Sequence, residues 1–206
     1  MAQVVLQATE KNKNEIHSFI KTSTAKLHSQ VEKQLASVLF DKNMTANAYL
    51  KMLLQMRDCY KAMEDSLNKF SLTKQLLADR SKLNWLDDDI HYLSELSQRN
   101  FTYINKDIDL NAISNVSQAM GMLYVMEGAT LGGGHIFKAL NKHTWLNESQ
   151  GIRFFYNYGD NRNEKWAYYM KQLTGFHNNN PDTAEDILLG ANTAFEIISL
   201  GTGDLE

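Results

Sequence analysis

A single proline, Pro181, punctuates a chain of 206 residues, so almost nothing in the backbone forbids helix. In the longest segments apolar residues recur every three or four positions instead of alternating, the period of a helix face and not of a strand. The fold class predicted is all-α, with helices over roughly 13–40, 45–69, 83–97, 109–141, 148–157, 162–176 and 182–200. Thr45, after the turn-like Asp41-Lys42-Asn43, is the expected cap of the second helix, and Asp182, after the polar run ending in Pro181, that of the last. No internal repeat, sustained heptad or low-complexity tract divides the chain, so 1–206 reads as one domain with a core over roughly 15–200.

Composition narrows the function classes. With 43% hydrophobic residues the chain can bury a sizeable core, and a net charge of -3 without any run of Lys and Arg argues against nucleic acid as a partner. Val4-Val5-Leu6 is too short for a secretory core, and no window approaches the roughly 18 apolar residues of a membrane span, so no membrane association and a cytoplasmic location are expected. Cys59, the lone cysteine, excludes an internal disulfide and a cysteine-based cluster; a buried structural thiol is the expected reading.

Ile20, Thr24, Leu27, Val31, Leu35 and Val38 define one face of the first helix, and His28 lies at its margin, expected to point inward. Such a histidine is more often a hydrogen-bonded core residue than a ligand. Lys21, however, lies seven residues earlier, almost two turns and about 10 Å along the axis, on nearly the same face. The pair suits a planar ligand held at its centre by an imidazole and at its edge by an ammonium. A solvated lysine near a helix start is the alternative.

From Gly121 to Gly134 five glycines interrupt an apolar helical pattern, each costing about 0.5–1 kcal/mol relative to alanine. Gly121, Gly128 and Gly132 share one face, where backbone can approach a flat neighbour. The run Gly132-Gly133-Gly134 is expected to kink or locally open the helix. Close helix packing explains the pattern equally well, whereas a phosphate loop lacks its Gly-Lys-Ser/Thr ending.

Together, Lys21-Thr22-Ser23-Thr24-Ala25-Lys26-Leu27-His28-Ser29-Gln30-Val31-Glu32 and Leu123-Tyr124-Val125-Met126-Glu127-Gly128-Ala129-Thr130-Leu131-Gly132-Gly133 resemble the proximal and distal helices of the heme oxygenase family, and more closely its bacterial branch associated with phytochromes. Further similarity lies in Trp85-Leu86-Asp87-Asp88-Asp89-Ile90, in Phe154-Phe155-Tyr156-Asn157-Tyr158-Gly159 followed by Trp166, and in Ala191-Asn192-Thr193-Ala194-Phe195. The resemblance implies a single helical domain with heme sandwiched between those helices. It implies that His28 ligates iron, that Lys21 meets a propionate, and that Thr24 and Glu32 lie on the proximal side. Tyr124, Gly128, Gly132 and Gly133 would line the distal side, with Phe195 at the porphyrin edge; a second basic propionate contact would come from Arg162, Lys165 or Lys171. His28, Gly128 and Gly132 are the implied catalytic positions.

The activity implied is oxidative opening of heme, at once substrate and cofactor, to biliverdin, carbon monoxide and ferrous iron. Dioxygen and an external electron donor, a soluble ferredoxin or flavoprotein reductase, are implied with it, and a biliverdin-accepting phytochrome is a further partner. The ring-opening position expected is the α-meso carbon. The ending Gly203-Asp204-Leu205-Glu206 carries none of the membrane-anchoring tail of some eukaryotic relatives. One departure is chemical: Ala129 stands where many members carry an aspartate that organises water for proton delivery. Freed carbonyls, ordered water or His135 would have to take over that task.

That departure motivates the alternative of a non-enzymatic heme carrier or sensor on the same scaffold. A carboxylate di-iron bundle, suggested by Asp88, His91 and Glu95, lacks a second Glu-x-x-His element, and an exposed acidic face is the better account. A thiaminase-like use of Cys59 has no base close in sequence.

Overall fold

The computed structural model describes residues 15–98, 113–147 and 150–203. Among them nine α-helices follow one another: α1 (15–23), α2 (Ala25–Leu39), α3 (Ala46–Leu67), α4 (Ser71–Leu77), α5 (Leu83–Leu96), α6 (Val116–Leu140), α7 (Arg153–Tyr156), α8 (Arg162–Asn179) and α9 (Ala184–Gly201). No strand forms among the described residues, only isolated bridges at Asn147. Val4–Leu6, the predicted helix starts at 13–14, 109–112 and 148–149, and the ending Asp204–Glu206 lie outside the described residues.

Local chemistry accounts for most boundaries. Thr45 caps α3 as expected, its hydroxyl accepting the Ala48 N–H at 3.2 Å, and Asn115 caps α6 through the Gln118 N–H. Asp182 does not cap α9: Pro181–Thr183 form a 3-10 turn, and Thr183 occupies the cap position without a side-chain capping bond, its hydroxyl donating to the Asn180 carbonyl instead. The first predicted helix divides at Thr24, whose hydroxyl shares the Ile20 carbonyl with its own backbone N–H. The helix predicted over 148–157 shrinks to one turn, and α4 appears where a loop was expected.

α6 forms the centre of the bundle. Every residue from Ser117 to Glu127 is buried, which only a helix surrounded by other helices permits. Its main neighbour is α9, and at two glycines the helices meet backbone against backbone. A Cβ on Gly121 would lie 1.7 Å from the Ile187 carbonyl oxygen, and one on Gly190 would lie 1.8 Å from that of Gln118. α3 packs on α5 and α9, contributing Tyr49, Met52, Leu53, Met56, Tyr60 and Met63 to the core. Cys59 is buried there as a structural thiol, donating to the Ile197 carbonyl.

Candidate functional site

α2 turns Val31, Val38 and Leu39 into the core and leaves His28 at the edge of that face. The His28 side chain is 55% exposed, which corrects the inward orientation expected of it. The reason lies in its neighbours: Leu27 and Leu35 are themselves only partly buried, so this edge of α2 borders an opening and not packed protein. Glu32 Oε2 lies 3.5 Å from His28 Nδ1, one turn on, and Phe195 of α9 meets the imidazole edge-on with centroids 5.6 Å apart. With Glu32 beside Nδ1, Nε2 is the ring nitrogen left for a ligand.

Across the opening is a cavity of about 80 Å³ bounded by Leu35 of α2, Tyr60 of α3, Ala129 and Gly133 of α6, and Phe154 and Phe155. Leu35 lies two turns beyond His28 on the same face, so the cavity continues the edge on which the histidine stands. The phenylalanine wall is fixed from below by Asp89, whose fully buried carboxylate accepts the Arg153 and Phe154 N–H groups at 2.9 Å each. Burial pushes that carboxyl up to about 6 despite those bonds.

The glycines of α6 divide by what surrounds them. Gly121 is needed by α9, Gly133 by the Phe155 carbonyl, which would lie 2.6 Å from its Cβ, and Gly134 by the Arg162 guanidinium at 2.8 Å. Gly128 would meet only Trp166, at an ordinary 3.7 Å, and Gly132 would meet nothing within 4 Å. Neither Gly128 nor Gly132 is required by protein packing. The cost of glycine in a helix interior is unrecovered at both, and a flat ligand lying on the helix would supply the missing reason. The glycine run does not interrupt the helix assignment, because α6 remains α-helical to Leu140.

The other predicted residues are distributed unevenly. Lys21 is exposed on α1, Glu32 is exposed beside His28, and Thr24 is buried in the helix junction. Tyr124 is buried with its hydroxyl 3.0 Å from His17 Nδ1, in a ring cluster completed by Trp166. Burial pushes its phenol up to about 12. Arg162 is tied to Asn157 and the Tyr156 carbonyl, Lys165 pairs with Asp79, and Lys171 and His135 are exposed. Asp88 pairs with Arg153, and His91 pairs with Glu95 on an open face.

Sequence reasoning missed a buried charge cluster behind the cavity. Glu127, fully buried, accepts from Arg80, from Lys82 Nζ at 2.8 Å and from the Tyr158 hydroxyl at 2.9 Å. Lys82 Nζ also donates to Tyr158 Oη and the Arg80 carbonyl, while Glu64 accepts the Lys82 N–H and the Ser81 hydroxyl. Burial lowers the Lys82 ammonium and raises the Glu64 carboxyl. The signal was present, since Glu127 is the only acidic residue in the 25-residue helix α6, and a buried carboxylate demands a cation.

The sequence model of the family described as heme oxygenase matches residues 14–199. No curated protein matches the sequence significantly. Among solved structures, the heme oxygenase of Neisseria meningitidis, in its NO- and CO-bound forms, superposes with a TM-score of 0.70 at 20% identity over 91% of this chain and 92% of that one. The heme oxygenase of Leptospira interrogans superposes at 0.72 and 17% identity over 92% and 98%. No helix of the described residues is long and apolar enough to cross a membrane.

Proposed function

The chain belongs to the heme oxygenase family, and on that premise we propose that heme lies between α2 and α6 with its iron on His28 Nε2. Its activity is heme degradation. The observation carrying the residue assignment is the pair Gly128 and Gly132, which protein packing leaves unexplained, together with an exposed His28 imidazole that has Glu32 3.5 Å from its Nδ1.

Bound heme supplies the iron at which dioxygen is activated and the ring that is opened to biliverdin, with carbon monoxide and ferrous iron released. The chain supplies placement. Glu32 holds the His28 ring in one orientation, and the edge of Phe195 limits its rotation. Gly128 and Gly132 would let the backbone of α6 approach the distal face of the bound heme, which side chains there would hold off. Lys21 anchors a propionate and thereby sets the in-plane rotation that selects the meso carbon, the α position in our assignment. Thr24 supports the proximal side from behind, and Tyr124 and Gly133 complete the distal wall. Electrons come from a soluble ferredoxin or flavoprotein reductase, and a phytochrome is a natural acceptor of the bilin.

Titration with hemin tests the site. The wild-type chain should give an imidazole-ligated spectrum, which His28→Ala abolishes; Glu32→Ala should keep the ligand while weakening binding by roughly 10-fold. An unchanged spectrum in H28A moves the ligand elsewhere. With a reductant and dioxygen the complex should yield biliverdin, and a stable oxygenated complex without biliverdin would favour the carrier over the enzyme.

A further inference from the structure

Between α7 and α8 the chain reverses through Tyr156-Asn157-Tyr158-Gly159. Asn157 has φ 44° and ψ -117°, and Tyr158 has φ -75° and ψ 0°, the two corners of a type II′ turn. The first corner of that turn suits glycine, and a side chain held there is strained. Gln98, the other non-glycine residue with positive φ among those described, directly follows the C-cap of α5, where a left-handed residue is ordinary. Asn157 also ends a helix, but its ψ lies outside that left-handed well.

The side chain accounts for the strain. Its Nδ2 donates to the Thr130 carbonyl of α6 at 3.3 Å and to the Phe155 carbonyl at 3.0 Å. Its Oδ1 accepts the Tyr158 N–H at 2.7 Å and Arg162 Nε at 3.2 Å. These four bonds use the whole capacity of an amide. Tyr158, next in the turn, donates its hydroxyl to Glu127 of α6, and Arg162 donates to the Tyr156 carbonyl. α6 is shaped to receive them. A Cβ on Gly133 would lie 2.5 Å from Asn157 Nδ2, and one on Gly134 would lie 2.8 Å from the Arg162 guanidinium. The turn and Arg162 thus hold α6 at Glu127, Thr130, Gly133 and Gly134. The same stretch carries Gly128 and Gly132, whose Cβ positions meet nothing of the turn.

We propose that Asn157 is a positioning residue: by keying the II′ turn into α6, it fixes the height of the Gly128 and Gly132 backbone over bound heme. This rests on the placement of heme between α2 and α6. Glycine would adopt the turn without strain and make none of the four bonds, so the chain keeps a residue that its backbone resists.

The test compares Asn157→Gly and Asn157→Ala with Tyr169→Phe, which loses a bond to the Met120 carbonyl on the buried stretch of α6. In the apoprotein, hydrogen exchange read by mass spectrometry should speed up across 127–134 in N157G while 117–125 stays protected. N157A should melt below N157G, because alanine keeps the strained angles and makes none of the bonds. In the hemin complex, release to an apoglobin scavenger should be roughly 10-fold faster in N157G, as expected for one or two lost hydrogen bonds. The C–O stretch of carbon monoxide bound to the ferrous complex should shift with it. Y169F should lower Tm and move neither release nor stretch. Unchanged or uniformly raised exchange in N157G, equal melting of the two Asn157 variants, or wild-type release and C–O stretch in N157G overturns the proposal. The exchange measurement needs no heme, so failure of the heme placement shows up separately, in the hemin titration of H28A.

Discussion

Gly121 and Gly132 occupy one helix, three turns apart, and answer to different partners. Around Gly121 the helix is enclosed by protein, and the backbone of α9 fills the space a side chain would take. Around Gly132 there is open space, and nothing in the chain profits from the missing methyl. One half of α6 is therefore committed to the fold and the other to something outside the chain, with Glu127 at the boundary as the last fully buried carboxylate.

The boundary gives the largest expected effect. Glu127→Gln leaves Arg80 and Lys82 buried with their common counter-charge removed, which should destabilise the protein by about 3–5 kcal/mol. Urea denaturation measures it, and a loss under 1 kcal/mol would mean that the boundary is not electrostatic. Next comes Gly121→Ala, where the added Cβ meets the Ile187 carbonyl at 1.7 Å and α6 must part from α9; about 1–3 kcal/mol or more is expected from thermal unfolding. The smallest stability change has the opposite sign. Gly132→Ala should stabilise the apoprotein by about 0.5–1 kcal/mol, since nothing opposes the methyl, while weakening hemin binding or altering the bilin isomer formed. If both alanine variants lose stability alike, the division of the helix fails.

The division explains what the sequence could and could not reveal. The all-α class, the cap at Thr45 and the helical period of α2 rest on local chemistry, which a sequence displays directly. The glycine-rich helix was visible as an anomaly, yet its glycines looked alike, because only tertiary neighbours separate those needed by protein from those that are not. Nothing local in the charged run Asp79-Arg80-Ser81-Lys82 marks Arg80 and Lys82 as buried, although both are about 2% exposed or less. His28 was read as inward because its neighbours are apolar, and its exposure reflects an edge that the chain alone does not cover.

The contact of Gly121 and Gly190 across α6 and α9 has a further consequence. Side chains at a helix joint can change rotamer and let the helices creep past one another; backbone against backbone leaves no such freedom. The two helices therefore behave as a single calliper arm. Phe195, which steadies His28, is carried on one of them, and Gly128 and Gly132 on the other. The gap between the imidazole and the glycine face is thus gauged by two glycines remote from it, and a methyl added at either would reset that gap without touching anything that enters it.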